Sequence, residues 1–181
     1  MAWKNNAFRK QFTILLAACI ELGYHPMAWR TGTVIVLRKP GKKDYSDPKA
    51  YRPITLLKIP GKALEKIVQR RLAFLSQEIL PKEQFGARQG YCASDAVLEL
   101  VHHLKTTTSD TSAMMIDIKG AFDNVRKETL LETMRSYKLP SAAISWVHHF
   151  VSDRRANMLV DRILGEERSV ETGVPQSSPV S

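Results

Sequence analysis

Cysteine is nearly absent from this chain: Cys19 and Cys92 are the only two in 181 residues. They form no C-x-x-C pair and stand at no metal-ligand spacing, which excludes a disulfide framework and a cysteine zinc site. Both read as reduced thiols in a reducing compartment. Long hydrophobic runs are missing too. The longest apolar stretch, Ile14 to Ile20, falls far short of the ~20 residues a membrane-spanning helix needs. Met1-Ala2-Trp3-Lys4 lacks the early apolar core of a secretory signal. The expectation is a soluble, intracellular protein with no membrane partner, nuclear and cytoplasmic placement being equally compatible. No internal repeat or low-complexity segment occurs, which argues against solenoid and fibrous classes. Acidic residues are the remaining shortage: 18 Asp and Glu face 27 Lys and Arg, leaving a formal charge of +9. Such a surplus favours polyanion partners, because each phosphate contact releases counterions. By itself it bears on association and solubility rather than on fold.

What is present is globular in character: 44% hydrophobic and 25% charged residues, on a length that allows one domain or two subdomains around a real core. Residues 6–22 carry Phe8, Phe12, Leu15, Leu16, Cys19 and Leu22 at helical spacing, stopped by Gly23 and Pro26. The β-branched run at 32–38 predicts a strand, followed by a basic turn, Lys39-Pro40-Gly41-Lys42-Lys43-Asp44. Tyr51 to Leu57 is short and extended, with Pro53 holding Arg52 out of the helical region. A helix is predicted over 62–79, burying Leu64, Ile67, Val68, Leu72, Leu75 and Ile79. After a loop from Pro81 to Gly90, Ser94 or Asp95 is placed to cap a helix through Val97, Leu100, Val101 and Leu104. Ala113 to Ile118 predicts an apolar strand interrupted by Asp117; helices follow near 126–137 and 141–152, then a hairpin of strands near 156–161 and 167–171, then a Gly/Pro/Ser loop from Thr172 to Ser181. Mixed helices and strands without βαβ alternation point to an α+β fold with a mainly antiparallel sheet.

Asp117 is the sharpest chemical feature. A carboxylate within Met114-Met115-Ile116-Asp117-Ile118 is costly to bury unless paired or bound to metal, and hard cations such as Mg²⁺ seek such oxygens. From the strand alone, an aspartate capping the next turn is the plainer reading. Asp123 reads as structural, bonded to nearby backbone ahead of the helix at 126. Lys39, Lys42, Lys43 and Arg52 occupy loop positions suited to phosphate contacts, against the plainer reading of a solvated basic loop; Arg70 and Arg71 stand between the same two readings. His102-His103 and His148-His149 are adjacent pairs pointing about 100° apart on a helix, which suits packing or surface positions better than one shared ion. Trp3, Trp29 and Trp146 read as core rather than as base-stacking platforms. In Gly173-Val174-Pro175-Gln176-Ser177-Ser178-Pro179 the glycine and prolines fix an unusual backbone path, and Gln176 is free to hydrogen-bond a base or sugar.

Four segments together resemble the ordered blocks of reverse transcriptases from non-LTR, LINE-like retrotransposons: Tyr51-Arg52-Pro53-Ile54-Thr55-Leu56-Leu57, Gln84-Phe85-Gly86-Ala87-Arg88-Gln89-Gly90, Asp117-Ile118-Lys119-Gly120-Ala121-Phe122-Asp123 and the Gly173–Pro179 segment. The resemblance spans roughly residues 30–181. It implies a right-hand polymerase fold, with 1–28 as an N-terminal helical extension, 29–110 as fingers, and 111–181 as a partial palm with part of the fingers–palm junction. It also implies RNA-directed DNA polymerase activity: template-directed nucleotidyl transfer with two Mg²⁺ ions, an RNA template, a DNA primer and deoxynucleoside triphosphates. Asp117 then matches the first catalytic aspartate and, with the carbonyl of Ile118, a metal ligand. Phe122 matches the steric gate against ribonucleotides. Arg52 matches the residue that grips the triphosphate, with Lys39 as its companion. Gln176 matches the glutamine near the nascent pair. Gln84, Gly86 and Arg88 fall in the block that lies along the template.

Two departures qualify the match. Ser177 stands where the family usually has glycine, and the chain has no adjacent Asp-Asp pair. The family's aromatic–x–Asp-Asp turn and thumb come later in the chain, so the expectation is a fragment, inactive alone, whose partner is the missing C-terminal part of the polymerase. Competing readings are a non-catalytic nucleic-acid-binding remnant and a group II intron-type maturase fragment.

Overall fold

The computed structural model describes residues 5–160 and 162–180. Trp3 and the final residues of the predicted strand 156–161 and of the terminal loop lie outside that range. The chain divides into two compact units: residues through Gln69 with those from Gly120 on, and Arg70–Lys119.

The first unit opens with helix α1, Asn6–Glu21. Asn5 caps it, its side-chain oxygen accepting the N–H groups of Ala7 (2.9 Å) and Phe8 (3.3 Å). Gly23, at φ +59°, closes it: its own N–H reaches Ile20 and that of Tyr24 reaches Cys19, the paired pattern that satisfies the last carbonyls of a helix. A side chain at Gly23 would sit 2.5 Å from the carbonyl of Ala142, so this glycine also sets how closely α1 approaches the later helix over Ser141–Val151. Strand β1, Thr31–Arg38, pairs antiparallel with β2, Tyr51–Leu56. Helix α2, Ile59–Ser76, follows; Pro60 sits in its first turn, where a missing N–H costs nothing.

Helices α4, Lys127–Ser136, and α5, Ser141–Val151, lead into β3, Arg154–Val160, β4, Ile163–Leu164, and β5, Arg168–Val170. Strand β3 lies parallel to β1, while β4 and β5 return antiparallel along its other side. The sheet is therefore mixed: three of its pairings are antiparallel as expected, and the β1–β3 pairing is parallel. Strand β2 is at the sheet edge, which is why Pro53 is tolerated in it. The core of this unit is built on α5, whose Trp146, Val147, Phe150 and Val151 are buried, with Leu16, Cys19, Leu64, Val68, Leu131 and Met134.

The second unit contains the end of α2, the loop to Gly90, and helix α3, Ala93–Thr106. Cys92, not Ser94 or Asp95, is the capping position of α3; Asp95 stands three residues on and accepts the Cys92 N–H at 2.7 Å.

Three further expectations are corrected. The predicted helix 62–79 runs three residues earlier, and its buried face is Gly61, Leu64, Glu65 and Val68; Ile67 lies about 100° away and is exposed. Residues 113–118 form no strand: they are irregular, with Met114, Met115, Ile116 and Ile118 exposed. A strand requires a paired neighbour, and no described strand pairs with this segment. Asp123 does not bond nearby backbone through its side chain; its carboxylate accepts from Gln176, 53 residues on.

Candidate functional site

In the first unit, three of the four sequence blocks converge. Gly173, at φ +80°, lies against the 122–125 backbone: its N–H donates to the carbonyl of Val125 at 3.0 Å, and a Cβ would fall 2.8 Å from the carbonyl oxygen of Asp123. Only glycine meets both conditions without strain. Val174 N–H donates to Phe122 at 2.9 Å, and Gln176 Nε2 donates to Asp123 Oδ1 at 3.4 Å. From the far side of the loop, Ser177 Oγ donates to the carbonyl of Thr55 in β2. Ser177 is thus turned onto the edge strand that carries Arg52. Ser178 Oγ donates to Glu65 Oε2 at 2.6 Å and in turn accepts from Val180 N–H at 3.1 Å. The loop is therefore fixed to the 122–125 turn, to β2 and to α2, and Gln176 is exposed at its crest.

Arg52 is exposed on β2 directly opposite Leu37. Lys39 follows β1, its N–H bonded to Ala50 and its ammonium donating to the carbonyl of Lys49 at 2.8 Å. Phe122 is exposed, ahead of the Asp123–Gln176 contact.

The second unit carries the other predicted residues. Gln84 Nε2 donates to the Gly86 carbonyl at 3.1 Å. Arg88 donates to Pro81 at 3.1 Å and stacks its guanidinium over Tyr91, 4.8 Å from the ring centre. These bonds hold the 81–91 loop in one shape. Asp117 and Ile118 lie exposed in the irregular 113–118 segment. Among the described residues, no group of three His, Cys, Asp or Glu side chains is placed to hold a metal. Consistent with the sequence reading, His102 and His103 are exposed on α3, and His149 Nδ1 is engaged by the carbonyls of Gly23 and Ser145.

Sequence reasoning missed a buried polar cluster beneath this loop. Glu65 is buried on α2, and burial raises its carboxyl pKa against the opposing pull of Ser178 and Arg154. Arg154, also buried, donates to the Phe150 carbonyl at 3.0 Å and lies over the Phe150 ring; burial lowers its pKa, while Glu65 raises it. His25 is wholly buried among Trp29, Trp146 and Phe150, and neither ring nitrogen makes a well-formed hydrogen bond. Burial, then the charges of Arg154 and Arg30, lower its pKa to about 4, so it is neutral at pH 7; the Trp29 backbone offsets this only in part. Arg30, buried as well, donates twice to the His25 carbonyl and meets Asp153 at 3.4 Å. The one legible signal was Glu65 interrupting the apolar face of α2.

Residues 37–181 match the family model described as reverse transcriptase (RNA-dependent DNA polymerase). The chain belongs to the reverse transcriptase family. It is related to the enzymes of non-LTR retrotransposons. It is 31% identical over 170 residues to a probable RNA-directed DNA polymerase from transposon BS of Drosophila melanogaster, covering 91% of this chain and 18% of that protein. It is 35% identical over 181 residues to a putative 115 kDa protein in the type-1 retrotransposable element R1DM of the same species, covering 95% and 17%. An RNA-directed DNA polymerase from mobile element jockey of Drosophila melanogaster is 28% identical over 170 residues, covering 91% and 18%. The chain thus spans under a fifth of the length of these relatives. Among the described residues no helix is long and apolar enough to cross a membrane.

Proposed function

We propose that this chain is the fingers and early palm of a retrotransposon RNA-directed DNA polymerase, serving template-directed addition of deoxynucleotides to a DNA primer on an RNA template. The observation that carries the reading is the convergence of the Tyr51–Leu57, Phe122–Asp123 and Gly173–Pro179 blocks in one unit, each tied to the next by hydrogen bonds. In this reading Arg52 and Lys39 bind the triphosphate, Phe122 walls the sugar pocket against a 2′-hydroxyl, and Gln176 meets the nascent pair. Gln84, Gly86 and Arg88 lie along the template.

Asp117 and the Ile118 carbonyl present hard oxygen donors in an exposed segment, the donor type Mg²⁺ takes alongside substrate phosphates and water. If bound there, Mg²⁺ would supply charge neutralisation and alignment of the triphosphate. In this reading Asp117 would hold the ion, Arg52 would orient the phosphate chain, and Phe122 would exclude the wrong sugar. A single carboxylate binds Mg²⁺ weakly, so the chain alone is expected to be inactive and the full site to need the later part of the polymerase.

A second reading, a nucleic-acid-binding remnant without catalysis, is favoured by the exposed, unpaired state of 113–118. Primer extension on an RNA template separates the two, using the chain alone and the longest reading frame that carries it. Metal-dependent incorporation by the longer protein, abolished by Asp117→Ala, supports the polymerase. Binding with a steep salt dependence but no incorporation supports the remnant. Incorporation by the longer protein that survives Asp117→Ala overturns the assignment of that residue.

A further inference from the structure

Among the described residues Glu65 is the only buried acid, and it has no role in the polymerase reading. A buried carboxylate is costly unless its charge and its lone pairs are used. Glu65 stands on the inward face of α2 with Gly61, Leu64 and Val68, and the charges of Arg154 and Lys62 favour its ionised form against burial. Its Oε2 accepts the hydroxyl proton of Ser178 at 2.6 Å, the short distance typical of a carboxylate acceptor. A serine hydroxyl has one proton. With that proton committed to Glu65, Ser178 Oγ is left to accept, and the Val180 N–H donates to it at 3.1 Å. The Ser178 N–H donates to the Pro175 carbonyl at 2.9 Å, which closes a turn with Gln176 and Ser177 at its two central positions.

The crest of the loop is therefore held from both sides. Before it, Gly173 and Val174 are bonded to the carbonyls of Val125 and Phe122. After it, Ser178 is bonded to Glu65. Two further ties lie nearer to water: the Ser177 hydroxyl on Thr55, part-buried, and Gln176 on Asp123, exposed and 3.4 Å long. A bond to a buried charge outweighs such bonds, because water does not compete for it. We infer that Glu65 is a positioning residue for the loop crest: through the Ser178 hydroxyl it holds the Pro175–Ser178 turn in the shape that presents Gln176. What Gln176 then meets, the nascent pair, rests on the polymerase reading; the hold of Glu65 on the turn does not.

Order parameters from backbone amide NMR relaxation test the hold in this chain. The Gln176 amide should be as rigid as the sheet in the parent, at about 0.85, and should fall below about 0.6 in Glu65→Leu. Gly173 and Val174 should keep the parent's values, since their bonds to Val125 and Phe122 do not pass through Glu65. Glu65→Gln removes the charge that faces Arg154 but keeps an oxygen for the Ser178 hydroxyl, so it should restore most of the order at Gln176. A carboxylate that served only to balance Arg154 would leave Glu65→Gln as loose as Glu65→Leu, and that result overturns the inference. A rigid Gln176 in Glu65→Leu, or a loss of order that reaches Gly173 and Val174 equally, overturns it too. Should Glu65→Leu fail to fold, Ser178→Ala removes the same bond from the loop side and leaves the charge in place; unchanged order at Gln176 there is fatal to the inference. In a longer frame that incorporates deoxynucleotides, Ser178→Ala should lower kcat/KM by about tenfold or more, because a misplacement of about 1 Å costs up to about a hundredfold. An unchanged kcat/KM with a loosened crest overturns the role in nucleotide addition. A longer frame that never incorporates sinks the polymerase reading instead, and the order parameters still decide whether Glu65 holds the turn.

Discussion

His25 makes the folded chain sensitive to mild acid, by an amount the structure sets. Its ring is wholly buried between Trp29, Trp146 and Phe150, near the cations of Arg154 and Arg30, and its pKa falls from 6.5 to about 4. Between those values the unfolded chain takes up a proton that the folded chain refuses. Stability tied to His25 is therefore complete above pH 6.5 and is lost as pH falls towards 4. Each pKa unit is worth about 1.4 kcal/mol, which sets a ceiling of roughly 3.4 kcal/mol and a loss of about 2 kcal/mol between pH 7 and pH 5. Glu65, whose pKa is raised by burial, works in the opposite sense: its folded form takes a proton more readily than its unfolded form and gains on acidification. The measurement must therefore be a difference. His25→Phe keeps a flat ring, removes two nitrogens without good partners, and leaves Glu65 in place. Thermal unfolding of both proteins at pH 7 and pH 5 should show the parent losing about 4–7 °C more than the variant, at roughly 2–4 °C per kcal/mol for this size. At pH 7 the variant should be as stable as the parent or more so. Equal acid sensitivity in the two proteins would refute a neutral, desolvated His25.

The loop and helix ends give three further tests. Gly173→Ala faces both a left-handed φ and a carbonyl at 2.8 Å, whereas Gly41→Ala faces only a left-handed φ with open space; the first should cost clearly more than the ~1–2 kcal/mol of the second, and equal costs in urea unfolding would remove the close approach from the account. Ser178→Ala leaves the buried Glu65 carboxyl without its hydroxyl donor, an expected loss of about 1–3 kcal/mol that Glu65→Gln made in the same background should reduce. Lys138, at φ +55°, occupies the left-handed closing position of α4, where the N–H groups of Lys138 and Leu139 reach Arg135 and Met134; Lys138→Gly should stabilise the chain by about 1 kcal/mol, and a drop in melting temperature would contradict the strain.

Local pattern carried most of the element order. Periodicity found α1, α4 and α5 within about two residues, because each buries one face and ends at a residue whose backbone preference is strong: Gly23 for α1, Pro140 ahead of α5. Pro53 read as extended, and its edge position in β2 follows from the same missing N–H. The parallel β1–β3 pairing was not legible, since more than a hundred residues separate the partners and nothing in either segment names the other. Asp123 failed for the same reason: the local-bond expectation considered only neighbours in sequence, and the carboxylate's partner, Gln176, comes from another block. His25 and Glu65 show the limit from another side. Neither residue type advertises burial, and only the aromatic rings and the Ser178 hydroxyl supplied by distant segments make their positions buried ones.

The 113–118 segment separates what a sequence pattern encodes from what a fold must supply. Met114-Met115-Ile116 has the composition of a buried strand, yet the segment is irregular and exposed. Strand propensity largely measures packing against neighbours, and no described strand offers this segment a ladder. The family relationship is strong despite that, because it rests on a match along residues 37–181 and not on the state of one segment. Arg52 and Lys39, proposed above to bind the triphosphate, and the Gly173–Pro179 loop are held by backbone and side-chain hydrogen bonds within the first unit. Asp117 lies in an irregular, exposed segment, so the role proposed for it would depend on a neighbouring strand that organises 113–118. Backbone amide exchange reads this directly: the amides of 114–118 should exchange quickly in the chain alone and become protected in a longer polymerase frame. Fast exchange in both would mean that this carboxylate is never fixed well enough to hold a catalytic metal.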